Sequence, residues 1–240
     1  MKLDILVFAA HPDDAELGCS GTILKHVKLG KKVGIVDLTR GELGTRGTAD
    51  LRDEEAAESA GILGLAVREN LGMRDAYFLN DEEHRLQIIK KIREYQPEII
   101  LCNARFDRHP DHGRSGDLVN DAVFLSALPK IVTDVEGVNQ KAWKPKILLQ
   151  FIQDYYIKPD IVIDVTNFWD QKVRSIQAFK SQFYNPEYDK EEQQTYISSP
   201  DFLKVVEARA REYGKYIDAV YGEGFTCRRL LGVDSLFDLR

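Results

Sequence analysis

Two short clusters carry the residue types that hold metals and move protons: Ala10-His11-Pro12-Asp13-Asp14 and His109-Pro110-Asp111-His112. The chain has five histidines, and three of them lie in these clusters. A catalytic zinc usually takes three protein ligands and leaves one position for water. The metal lowers the pKa of that water toward ~7, and a nearby carboxylate removes its proton as attack begins. Asp13 and Asp14 are adjacent and point in different directions, so one could bind a metal while the other faces the water. Helix capping is the competing reading, because aspartate satisfies free N–H groups at a helix start. His11 beside them shifts the balance toward a metal. Glu16 either supports the ligands from behind or favours the positive end of a helix. In the second cluster either His109 or His112 can be the ligand on spacing alone. The other would stand near a substrate carbonyl as an oxyanion partner, with Asp111 to orient it. His26 and His84 fall in helical stretches and read as surface residues.

Each cluster follows an apolar run with the pattern of a buried strand, at 3–9 and 98–102. In an open α/β sheet the loops leaving the carboxyl ends of strands converge on one crevice, which would unite the two clusters. Around them, strand and helix patterns alternate. Helices are predicted at 15–29, 51–63, 82–95, about 112–127, 167–181 and 200–220, and further strands at 31–39, 67–73, 146–152 and 160–165. Repeated β–α units predict an α/β, Rossmann-like fold, with a mostly parallel sheet and helices on both faces. A single domain over 1–240 is expected, with the polar stretch 185–194 as a mobile surface segment.

Hydrophobic residues make up 43% and charged residues 30%, an ordinary globular composition. A net charge of −6 argues against nucleic acid or an anionic membrane as the main partner. It leaves room for an anionic small substrate wherever a local arginine outweighs the diffuse charge. Cys19, Cys102 and Cys227 have no Cys-x-x-Cys spacing and read as reduced thiols. No secretory pattern is read, and the apolar runs are shorter than the ~20 residues of a membrane helix. A soluble, cytoplasmic protein is expected.

Four stretches resemble the LmbE-like (PIG-L) family of metal-dependent N-acetylglucosamine deacetylases: AHPDDAELG at 10–18, LTRGELGTRG at 38–47, LRDEEAAESAGILG at 51–64 and RHPDHGRSG at 108–116. Along its whole length, including Gly222-Glu223-Gly224-Phe225, the chain looks most like the bacillithiol-biosynthesis branch. The resemblance implies His11, Asp14 and His112 as ligands of one Zn2+ per subunit, a set that also accepts other divalent metals. It implies Asp13 as general base and His109 as electrophilic partner, held by Asp111. The implied substrate is N-acetyl-glucosaminyl malate, cleaved to acetate and the free glucosamine.

Arg52 matches a family position that contacts substrate, although unaided it would read as a helix-surface arginine paired with Glu55. A guanidinium can bind a malate carboxylate bidentately, which also makes Arg108 and Arg46 candidates. Tyr155 or Tyr156, with Tyr156 preferred, would reach the pocket from the end of the 146–152 strand, and the segment 181–184 would shape the sugar pocket. The resemblance further implies a homo-oligomer, a trimer or hexamer. Two other readings compete. One is a deacetylase of another N-acetylated amino sugar, such as a mycothiol-type conjugate or a chitin fragment. The other is a nucleotide-binding module without hydrolytic chemistry. Gly41, Gly44 and Gly47 disfavour the latter, because they follow the second strand and form no Gly-x-Gly-x-x-Gly turn after the first.

Overall fold

Strand β1 (Ile5–Ala9) is buried at every position. Leu6 and Phe8 pack into one apolar layer, while Ile5, Val7 and Ala9 pack into the opposite one. A strand apolar on both faces belongs inside a parallel sheet covered by helices on each side. The computed structural model, which describes residues 1–186 and 193–238, has that architecture. Most of the 185–194 stretch therefore lies outside the described residues.

In chain order β1 is followed by α1 (Asp14–Lys28), β2 (Val33–Thr39), α2 (Ala49–Leu63), β3 (Val67–Met73), α3 (Glu82–Tyr95), β4 (Ile99–Asn103) and α4 (Pro110–Ser126). A small hairpin, β5 (Asp134–Val135) and β6 (Val138–Asn139), leads to β7 (Ile147–Phe151) and β8 (Ile161–Asp164). Helices α5 (Trp169–Gln177) and α6 (Phe202–Lys215) precede β9 (Gly222–Thr226). The main sheet has the order β3-β2-β1-β4-β7-β9-β8. Neighbours from β3 to β7 pair in parallel, and β9 alone runs against its neighbours. This is the α/β, mostly parallel, two-sided fold that the sequence pattern predicts.

Helices α3 and α4 cover one face through Ile88, Ile89, Ile92, Leu118, Val119 and Ala122. On the other, α1 and α2 bury Ile23, Leu24 and Leu63. Helices α5 and α6 add an outer cluster around Trp169, Ile176 and Val206. The chain steps outward from β1 to β2 and β3, then crosses back so that β4 lies on the other side of β1. Loops leaving β1 and β4 therefore diverge, and the crevice between them is where ligands bind in such sheets.

Two features lay outside the sequence prediction. The β5–β6 hairpin turns through Glu136 and Gly137, both at positive φ (50° and 78°). Strand β9 reads poorly as a strand because it contains two glycines. They are there because side chains would not fit: a Cβ on Gly222 would lie 2.6 Å from Val162, and one on Gly224 would lie 2.8 Å from the Tyr213 ring. The same crowding occurs in α1, where a Cβ on Gly18 would run into the ring of fully buried Phe151. Gly18→Ala is expected to destabilise the fold by about 1–3 kcal/mol in urea unfolding, although alanine is the better helix former.

Candidate active site

The chain leaves β1 through His11-Pro12-Asp13, and the Asp14 carboxylate closes the turn by accepting a hydrogen bond from the His11 N–H (3.0 Å). Asp13 caps α1 with φ of 123°, a conformation that L side chains avoid. Such an outlier costs on the order of 1–3 kcal/mol and persists where surrounding structure enforces it. Here it turns two successive carboxylates into different surroundings.

Asp14 is the hub. It is 1% exposed and accepts hydrogen bonds from Asn103 Nδ2 (3.0 Å), at the end of β4, and from Gln153 Nε2 (2.6 Å), just beyond β7. Its oxygens lie 3.5 Å from His11 Nδ1 and 3.1 Å from His112 Nε2. Each imidazole is anchored from behind through its other nitrogen. His112 Nδ1 meets Asp107 Oδ2 at 2.7 Å, and His11 Nε2 meets Asp75 Oδ1 at 3.1 Å and Asp111 Oδ2 at 3.4 Å. Burial would lower the His112 pKa, but Asp14 and Asp107 outweigh it and carry it to about 9. Burial likewise opposes ionisation of Asp75, yet His11 holds it down at about 2.

A divalent cation fits this donor set. Two imidazoles each turn one nitrogen to a shared carboxylate and have the other fixed by a carboxylate, the arrangement that orients metal-binding histidines. Nitrogens of His11, His109 and His112 also lie within 4.8 Å of one another. A second grouping, His11 with Asp75 and Asp111, is equally close. Its carboxylates are already engaged, Asp75 by the Leu43 N–H (3.0 Å), Asp111 by the Ala76 N–H (2.9 Å) and Arg114 (2.6 Å), so it reads as the layer that orients His11. Asp107→Ala is expected to weaken metal binding by about 10–100-fold in chelator competition, with the fold retained.

Asp13 has different surroundings from Asp14. It is 4% exposed, and burial pushes its carboxyl up to about 7, with Arg52 pulling against that rise. Arg52 donates to Asp13 Oδ2 at 3.3 Å, while its Nε, buried, has no hydrogen-bond partner among the described residues. Gly41, at φ of 63°, lies flat against this guanidinium, and any side chain there would displace it. His109 caps α4, and its Nδ1 accepts from the Asp111 backbone N–H (3.2 Å). Nε2 then carries the ring hydrogen. Burial and the nearby imidazoles of His11 and His112 lower the pKa of His109, so the ring is a neutral N–H donor.

His11, Asp13, Asp14, Arg52, Arg108, His109 and His112 line one cavity of about 250 Å³, together with the 41–45 loop. Asp111 sits behind the wall, fully buried, and touches His109 through its backbone while its carboxylate serves His11 and Arg114. Tyr156 is not brought in: it is 60% exposed and packs beside Tyr213. Tyr196 lines the cavity instead, with the Arg108 guanidinium 5.0 Å above its ring. Tyr155 is exposed, and Arg46 is buried against the Ser181 carbonyl (2.8 Å). Sequence reasoning missed Asp75, Asn103, Asp107, Gln153 and Tyr196. Asp107, two residues before the second cluster, was within reach of a spacing argument; the others carry no local signal. His26 and His84 lie apart, on α1 and α3, as expected.

The chain is similar to several known proteins. The model of the family PIG-L, GlcNAc-PI de-N-acetylase, matches residues 6–123. A diacetylchitobiose deacetylase of Thermococcus kodakarensis is 30% identical over 192 residues, covering 75% of this chain and 70% of that protein. A probable N-acetyl-alpha-D-glucosaminyl L-malate deacetylase of Bacillus anthracis is 26% identical over 193 residues, covering 75% and 81%. Among solved structures, the conserved protein TT1542 from Thermus thermophilus superposes with a TM-score of 0.84 at 33% identity, covering 97% of this chain and 98% of that one. With its two histidine-aspartate loops at adjacent strand ends of this sheet, the chain belongs to the PIG-L (LmbE-like) family of de-N-acetylases.

Proposed function

We propose that this protein is a zinc-dependent hydrolase, acting as one domain, that removes the acetyl group from an N-acetylglucosamine conjugate, N-acetyl-glucosaminyl malate of bacillithiol biosynthesis foremost. The observation that carries the reading is a buried carboxylate, Asp13, in the same cavity as a His–Asp–His donor set. His11, Asp14 and His112 would hold the metal, which supplies Lewis acidity and lowers the pKa of a water molecule to ~7. Asp13 takes the proton of the attacking water and delivers it to the departing amine. The neutral His109 donates a hydrogen bond to the developing oxyanion. Acetate and a free amino sugar leave.

Arg52 and Arg108 supply the positive charge that a malate carboxylate would meet, and the relative from Bacillus anthracis supports that choice of aglycone. The relative from Thermococcus kodakarensis supports a chitin-type disaccharide as the second reading. No described helix is long and apolar enough to cross a membrane, in keeping with a cytoplasmic enzyme. A homo-oligomer is favoured by the apolar C-terminal strap, where Leu230, Leu236 and Phe237 are 94%, 80% and 98% exposed.

The test is acetate release from N-acetyl-glucosaminyl malate, diacetylchitobiose and plain N-acetylglucosamine, with metal-loaded and chelated protein. Metal-dependent turnover that strongly favours the malate conjugate is expected. Preference for the disaccharide would move the enzyme to the chitin-type reading. Turnover that survives complete chelation would sink the metal mechanism.

A further inference from the structure

Helix α1 is broken. Cys19, in its middle, has φ of −149° and ψ of 15°, so the helix consists of two segments in series. At such a break the carbonyls ending the first segment and the amides beginning the second need partners from outside the helix. One buried ion pair supplies both. Lys172 Nζ, from α5, donates to the carbonyls of Leu17 (2.8 Å) and Glu16 (3.1 Å). Glu223, from β9, accepts from the amides of Gly21 (2.9 Å) and Thr22 (2.7 Å), one on each carboxylate oxygen. The two side chains meet at 2.7 Å and are 2% and 4% exposed. Gly21 has no side chain to keep Glu223 away: a Cβ there would sit 3.0 Å from its Oε1.

The charges sit with the right signs. A cation stabilises the carbonyl end of a helical segment, and an anion stabilises the amide end. Neither residue lines the active-site cavity, yet the segment they grip carries the chemistry. It is little more than one turn long, opens at Asp14, and is tied to Asp13 by the Leu17 amide, which donates to the Asp13 carbonyl at 3.0 Å. A turn this short has little helical cohesion of its own. It must nonetheless hold Asp13 at φ of 123°.

We propose that Lys172 and Glu223 are positioning residues: their ion pair clamps the break in α1 and so holds Asp13 in its working geometry, while Asp14 is fixed from other strands by Asn103 and Gln153. A pair present only for stability would be replaceable by apolar residues of similar volume. A clamp requires donors and acceptors at these two places. The proposal rests on the deacetylase reading for its kinetic readout alone.

The experiment compares Glu223→Gln with the double variant Lys172→Met/Glu223→Gln in the full chain. The double change removes both charges together and leaves no lone buried charge. Arg93→Met is the control, because Arg93 clasps the carbonyls of Ser126, Leu128 and Ile131 on the opposite face of the sheet. Thermal stability, metal content, kcat, KM and amide exchange over 13–22 are measured on each. Both clamp variants are expected to exchange faster over 13–22 and to lose about tenfold in kcat, with KM and metal content unchanged, as displaced catalytic groups do. The control is expected to lose stability and keep its kcat. If Glu223→Gln alone does not fold, the double variant decides. Unchanged kcat in the folded clamp variants, or an equal loss in the control, overturns the proposal. Should the unaltered protein release no acetate, the deacetylase reading fails. Exchange over 13–22 then decides on the clamp, and unchanged exchange overturns it.

Discussion

Asp13→Asn is expected to lower kcat by about 10²–10⁴-fold, the usual contribution of a positioned general base, while metal content stays at the level of the unaltered protein. Asparagine keeps the shape of the side chain and its contact distance to Arg52, and loses the ability to take a proton. Asp13 is suited to that task because burial raises its carboxyl to about 7, where the group both takes up and releases a proton near neutral pH. Asp14, two hydrogen bonds deep in Asn103 and Gln153, is held well below the usual carboxylate range by His112 and His11 against the effect of burial. It is a permanent anion, suited to a cation and unsuited to proton transfer. Asp14→Asn should therefore lose metal and activity together, whereas Asp13→Asn should lose activity alone. Metal analysis beside steady-state kinetics separates the two. A metal-loaded Asp13→Asn protein with undiminished turnover would remove Asp13 from the mechanism.

Arg68→Met is expected to cost about 3–5 kcal/mol at neutral pH, the usual penalty for stripping a buried charge of its partner. Arg68 binds Asp37 through two nitrogens (2.8 and 3.1 Å) and reaches Glu16 with a third (2.5 Å). The Glu16 side chain is fully buried, and its carboxylate accepts otherwise only from Ser59 (2.6 Å) among the described residues. The sign of the pH dependence follows from Asp37. Burial raises its carboxyl from 3.8 to about 6 even with Arg68 opposing the shift. The folded chain thus keeps a proton that the unfolded chain has released, and stability falls as pH rises through the window between those values. Without Arg68 the folded carboxyl climbs higher, so the window widens upward and the deficit grows toward alkaline pH. Urea unfolding at pH 5 and pH 8 should show the smaller loss at pH 5. An equal loss at both would mean that Asp37 is not the group responsible.

The clusters were legible because each is local: His11, Asp13 and Asp14 share one loop, His109, Asp111 and His112 another, and each follows an apolar strand. Periodicity was enough to predict α3 to the residue, since an amphipathic helix buries its face at a fixed repeat, whereas the residues of β3, although its bounds match, show no such alternation. β9 escaped because glycine crowding, a property of its neighbours, dictated its residues. Tyr156 failed for a related reason: the end of β7 was predicted, but the direction of the chain beyond it was not, and Tyr196 took the cavity wall.

By itself the sequence determined which side chains are candidates for the chemistry and that two strand ends present them, because ligand type, loop spacing and hydrophobic period are written over a few adjacent residues. Only the tertiary structure decided how those side chains differ from one another. Asp13 and Asp14 are neighbours of one residue type, given different surroundings by partners from other strands and helices: Arg52 for the first, Asn103, His112 and Gln153 for the second. Asp75 anchors His11 across 64 residues, and Glu223 grips α1 across 202. Burial and partnership of this kind depend on which parallel strands pair, and no run of adjacent residues encodes that.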